Sequence, residues 1–121
     1  MIDHIAIQVR DVAASTRFYD AVLAPLGGKQ TKAFGDFVSY GATGHTLWLG
    51  PLTGEGQARE VHLAFVAADR EAVDAFHAAA VAIGAESLHA PRVRPEYHES
   101  YYGAFVRDPD GNNIEAVCHT P

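Results

Sequence analysis

Apolar and polar residues alternate along "HIAIQVRD" (4–11), and the same alternation returns 58 residues later in "HLAFVAAD" (62–69). His4 falls on His62, Ala6 on Ala64, Ile7 on Phe65, Asp11 on Asp69 and, further on, Phe18 on Phe76. A period of two predicts a strand with one buried face. The period then changes in both copies: Ser15, Phe18, Val22 and Leu26 recur at helical spacing, as do Val73, Phe76, Ala80 and Ile83. Asp11 and Asp69 are placed to cap these helices, and Gly27 and Gly84 stand where each would end in a left-handed residue.

Three more strands are predicted after each helix. The first copy has "GKQTKAF" (28–34), "DFVSYGA" (36–42) and "HTLWLG" (45–50), divided by Gly35 and Gly44. In the second copy a strand near 85–90 is followed by "SYYGAFVRD" (100–108), a "DPDG" turn (108–111) and a strand containing Glu115. These last hairpins align at an offset of 67, which sets Gly44 on Gly111, Leu47 on Ile114 and Trp48 on Glu115. The excess over 58 lies in "HAPRVRPEYHES" (89–100), predicted to be irregular because it holds two prolines. The expected fold is therefore α+β, with two tandem βαβββ units forming a curled mixed sheet. Residues 1–121 make one domain: a unit over 1–50, a link over 51–59 and a unit over 60–121.

Composition narrows the function. A chain of 121 residues that is 48% hydrophobic has enough apolar material for one real core. A net charge of -6 without a basic stripe gives nucleic acid nothing to neutralise, so no nucleic-acid partner is expected. No apolar run is long enough for a bilayer and no signal peptide is evident, so neither membrane nor export is expected and the location is read as cytoplasmic. Cys118 is the lone cysteine, which rules out an intrachain disulfide. Seven histidines are more informative, because imidazole is the usual ligand for transition metals.

Alternation places His4, Ala6 and Gln8 on one face of the first strand, and His62, Ala64 and Val66 on the matching face of its repeat. If helices cover the more apolar side, both histidines face away from them. Glu115 interrupts an apolar strand whose other face carries Ile114, Ala116 and Cys118. Taken singly, each of the three reads as an ordinary satisfied polar residue. Their places in a duplicated unit point instead to one metal site, His4, His62 and Glu115, suited to Fe, Mn, Zn or Ni with positions left open for substrate. Substrate contacts are sought in "PRVRPEYHESYYG" (91–103): Arg92 and Arg94 for a carboxylate or phosphate, His98 for a proton, and Tyr101 or Tyr102 for a developing oxyanion. Tyr101 and Tyr102 alternate, so only one can line the site. His119 shares the face of Glu115, while His45, His77 and His89 read as turn, helix-flank and loop residues.

The paired βαβββ pattern, "RFYDAVLAPLG" (17–27) and "FVRDPDGNNIEAV" (105–117) resemble the vicinal oxygen chelate superfamily, over nearly the whole chain. That group includes glyoxalase I, extradiol dioxygenases, fosfomycin-modifying enzymes and bleomycin-binding proteins. The resemblance implies a cup-shaped sheet with metal ligands on the first and last strands of each unit, three of which are His4, His62 and Glu115. The fourth position, a carboxylate in glyoxalase I, falls on Trp48, whose indole neither coordinates metal well nor accepts a proton. Extradiol dioxygenases carry a Tyr ten residues before the Glu, where this chain has Phe105. Two functions follow. One is a divalent-metal enzyme of lyase, isomerase or dioxygenase type that chelates neighbouring oxygens of a small molecule. The other is a metal-free binding protein whose apolar cup is lined by Trp48, Phe105 and tyrosines. A homodimer is expected, since cups in this family are often completed between subunits and each unit leaves a sheet edge to be paired.

Overall fold

The computed structural model describes residues 1–54 and 59–121. Part of the 51–59 link thus lies outside the described residues. The first unit contains β1 (Ile5–Val9), α1 (Val12–Leu23), a 3-10 turn (Ala24–Leu26), β2 (Lys29–Phe34), β3 (Phe37–Gly41) and β4 (Leu47–Pro51). The second contains β5 (His62–Val66), α2 (Arg70–Ala82), β6 (Ser87–Val93), β7 (Tyr102–Arg107) and β8 (Asn113–Cys118). Their sheets run β1-β4-β3-β2 and β5-β8-β7-β6, each with a parallel first pair and antiparallel neighbours after it. The duplication extends to register: Ala6 stands opposite Trp48, and Ala64 opposite Glu115.

Both helices start on the predicted caps. The Asp11 side chain accepts from the Ala14 amide at 3.0 Å and Asp69 from the Ala72 amide at 2.8 Å. Gly27 and Gly84 end the two helical segments at φ 78° and 82°, a conformation in which a Cβ would be strained. Val22, Phe18, Val73, Phe76 and Ala80 are buried along the inner faces, while Ile83 lies outside the core at 42% exposure. One hydrophobic cluster joins both helices and both sheets. The helices also pack on each other, with α2 against β6, β7 and β8.

The halves are further tied by polar groups of the "DPDG" turn. Asp110 accepts from the Arg10 amide at 3.0 Å and from the Ser15 hydroxyl at 3.4 Å, and Tyr19 donates to Asp108 at 2.8 Å. Buried Asp108 also accepts from the Asp110 and Asn112 amides and the Asn112 side chain, each at 2.9 Å.

Two strands run past their expected ends. Strand β4 continues one residue, to Pro51, and β6 runs on to Val93 where an irregular segment was predicted. Pro91 is tolerated because β6 is an edge strand and its register slips between His89 and Arg92. His89 accordingly belongs to a strand, and His77 lies within α2, 2.7 Å from the Ser87 hydroxyl. Among the described residues no helix is long and apolar enough to cross a membrane.

Candidate functional site

Along β5, His62, Ala64 and Val66 are exposed while Leu63 and Phe65 pack against the core. The alternation thus sends His62 to the face away from the helices. Glu115 reaches that face from the centre of β8, beside β5, and is only 2% exposed. His62 Nε2 lies 2.9 Å from Glu115 Oε2, and the Tyr101 hydroxyl donates to Glu115 Oε1. A carboxylate buried among apolar neighbours is stable only when paired, and here each oxygen has a partner.

Gly103 makes room for this arrangement. A Cβ there would stand 3.1 Å from Glu115 Oε1 and 3.2 Å from a Tyr101 ring carbon. The Tyr101 pKa is raised above the ordinary phenol value, by burial first and by the hydrogen bond and charge of Glu115 next. Tyr101 is therefore a hydrogen-bond donor at neutral pH and not a base.

The remaining aromatic and basic groups divide between two faces. Tyr102 points to the helix side, where its hydroxyl donates to Asp74 at 2.7 Å and the Arg70 guanidinium lies 5.1 Å from its ring centroid. That position removes Tyr102 from the expected catalytic pair, for the reason alternation supplied: only one of two adjacent strand residues faces the cup. Phe105, cross-strand partner of Glu115, is buried with the rings of His62 and His89 at 5.9 and 5.5 Å. The Arg94 side chain covers Phe105 at 4.6 Å. Arg92 is exposed and bonds the Val93 carbonyl and Glu96, both at 2.9 Å.

His98 touches the Tyr101 ring edge-on at 5.4 Å. Its polar contacts lie elsewhere: Nδ1 accepts from the Ser100 amide at 3.1 Å, and Nε2 is 2.8 Å from His119 Nδ1. With Nδ1 accepting, the proton of a neutral His98 sits on Nε2 and is donated to His119. The His98–His119 pair was not foreseen, although the shared face of His119 and Glu115 was its one sequence signal.

The first unit presents a different constellation. His4 is half-exposed and bonds Asp3 at 2.6 Å, and among the described residues no three His, Cys, Asp or Glu side chains converge on a metal position. The structure thus brings His62 and Glu115 together and leaves His4 apart. Trp48 occupies the place equivalent to Glu115, with the His45 ring at 5.5 Å. His45 Nδ1 in turn meets the Thr31 and Ser39 hydroxyls at 2.8 and 3.1 Å.

Paired βαβββ units with a His–carboxylate couple on the open sheet face define a glyoxalase-type domain. The chain belongs to the Glyoxalase/Bleomycin resistance protein/Dioxygenase superfamily, whose sequence model matches residues 1–116. A glyoxalase/bleomycin resistance protein from Albidiferax ferrireducens T118 is similar at 33% identity and TM-score 0.83, covering 94% of this chain and 95% of its own. A glyoxalase/bleomycin resistance protein/dioxygenase family enzyme from Burkholderia phytofirmans PsJN shares the fold at 23% identity and TM-score 0.74, with 96% of each chain covered. Lactoylglutathione lyase from Agrobacterium tumefaciens does so at 23% identity and TM-score 0.71, covering 97% of this chain and 92% of its own. No curated protein matches the sequence.

Proposed function

We propose that this protein is a divalent-metal enzyme that chelates two neighbouring oxygens of a small organic substrate, working as a homodimer. The observation that carries this reading is the buried Glu115 carboxylate with His62 Nε2 2.9 Å from its Oε2. His62 and Glu115 set an imidazole nitrogen beside a carboxylate oxygen, a donor pair that would hold a divalent cation. His4 supplies the third donor in the proposed site. Because it does not meet the other two within one chain, we assign it to a second copy whose β1 face closes over the β5–β8 face. Fe, Mn, Zn and Ni all suit two imidazoles and a carboxylate.

When bound, such an ion supplies Lewis acidity to the neighbouring oxygens of the substrate and stabilises negative charge developing on them. Glu115 contributes charge to that site, and Tyr101 orients it through its hydrogen bond. With its proton retained, the Tyr101 phenol keeps its single O–H on Glu115 Oε1 and so holds the carboxylate in place. His98, against the Tyr101 ring, passes protons toward the exposed His119. Phe105 and the partner's face, with its Trp48 indole, exclude water from the reacting atoms. Trp48 offers no base where its repeat equivalent is a carboxylate, so this reading favours chemistry other than plain glyoxalase I isomerisation.

A second reading, a metal-free sequestering protein, is favoured by one specific observation: both oxygens of Glu115 have hydrogen-bond partners within the protein, His62 and Tyr101. Elemental analysis of protein purified without chelator separates the two. The enzyme reading expects close to one divalent ion per chain, lost in Glu115→Gln and His62→Ala. Ligand binding that is indifferent to chelator, in protein carrying no stoichiometric ion, would establish the sequestering role instead.

A further inference from the structure

Arg94 directly follows Val93, the last residue of β6, and is 4% exposed. Its guanidinium lies over Phe105, and Phe105 pairs with Glu115, so the cation shares the sheet face of the candidate site. Its nearest anion contact is weak: Nη1 stands 3.5 Å from Glu96 Oε1, longer than a charge-assisted hydrogen bond. Among the described residues, Nε and Nη2 are sealed from solvent and have no hydrogen-bond partner. Glu115, the buried carboxylate of that face, directs its oxygens to His62 and Tyr101.

The two orphaned nitrogens are not an arbitrary pair. In a planar guanidinium, Nε–H and Nη2–H point the same way along one edge, while Nη1 lies on the opposite side of the fork. That edge matches the two oxygens of one carboxylate or phosphonate, a fit an ammonium group does not reproduce. A buried charge whose donors are unmet is unfavourable, by more than cation–π contact with a phenyl ring returns. Such an arrangement is understandable where a ligand supplies the missing acceptors. Arg92, two residues earlier in β6, is exposed and has its own partners, so it does not compete for this role.

We infer that the Nε/Nη2 edge of Arg94 seats an oxyanion, making the substrate a small organic acid that carries a carboxylate or phosphonate group beside its two chelating oxygens. The oxyanion seat stands on the Arg94 geometry alone; its coupling to chelation rests on the function proposed above. Because both nitrogens are sealed in the free protein, entry requires the exposed turn Pro95–Glu99 to yield. That turn is tied to the sheet by Arg94 N–H donating to the Tyr101 carbonyl at 2.7 Å and Tyr97 N–H to the Arg94 carbonyl at 3.0 Å.

The test uses isotope-labelled full-length protein stripped of metal, titrated with benzoate, phenylphosphonate and neutral benzamide while the Arg94 Nε–H resonance is followed. Saturable binding of benzoate or phenylphosphonate that moves this resonance is the expected result, and the tighter of the two identifies the group. Arg94→Lys keeps the charge and loses the fork, and is expected to weaken binding tenfold or more; Arg94→Met is expected to abolish it. If the Met variant fails to fold, the Lys variant and the wild-type resonance still decide. Benzamide binding as tightly as benzoate, no saturable shift with any probe, or unchanged affinity in Arg94→Lys would overturn the inference. Since no metal is present, protein that binds benzoate but never takes up a cation would refute the metal reading and leave the oxyanion seat standing.

Discussion

Glu115 shows how much a single side chain can carry. Its two oxygens are held from different directions, by an imidazole on β5 and a phenol just before β7. Tyr101→Phe strips Oε1 of its donor inside a sealed environment and is expected to destabilise the fold by about 1 to 3 kcal/mol in urea unfolding. Tyr102→Phe removes a bond to exposed Asp74, and a loss of about 1 kcal/mol or less is expected. An equal effect of the two would mean that Tyr101 does not support the carboxylate. Alternation made this asymmetry legible in the sequence, since adjacent strand residues cannot share a face. The open edge of Arg94 was not legible, because it depends on where a slipped register leaves the guanidinium relative to Phe105.

Among the elements, the turn between β7 and β8 does more than reverse the chain. Asp108 accepts four hydrogen bonds from its own turn and from Tyr19 of α1, so one buried carboxylate fixes a hairpin and docks a helix of the other unit. Asp108→Ala is expected to cost about 3 kcal/mol or more, and Tyr19→Phe about 1 to 2 kcal/mol. The double variant should fall short of their sum, since either single change already breaks the Tyr19–Asp108 bond; strict additivity in denaturant titrations would contradict the proposed dock. "DPDG" was readable as a turn, but its tie to α1 is a contact across 89 residues that no local pattern encodes. The extent of β6 was hidden for a related reason. Pro91 reads as a breaker until the sheet order shows that its strand lies at the edge.

For the molecule as a whole, the repeat revealed most of the architecture, because a shift of the chain against itself matches elements without needing their propensities. The register of Trp48 and Glu115 against equivalent alanines confirms the match. What repetition could not show is how the two halves sit, since the groups joining them, Arg10, Ser15, Tyr19, Asp108 and Asp110, break the symmetry. The same packing gives a pH dependence. Tyr19, Tyr40 and Tyr101 have raised pKa values, each through burial first and a carboxylate next. Their contribution to stability is full below about pH 10, where the unfolded phenols remain protonated, and is lost as pH rises beyond it because the unfolded state releases protons first. The urea midpoint should therefore fall above about pH 10, with the tyrosinate absorbance of these residues appearing together with unfolding. Early ionisation of all five tyrosines with native circular dichroism intact would be inconsistent with these burials.

The central proposal is a cation held by His62 and Glu115 of one chain and His4 of another, and cobalt(II) binding by mixed variants tests it most directly. His4→Ala and Glu115→Gln should each show no cobalt absorption bands when pure. After subunit exchange, each mixed dimer regains one intact site, so the mixture should recover about a quarter of the wild-type absorbance. A mixture that stays blank, or a His4→Ala protein that binds cobalt as the wild type does, would contradict it.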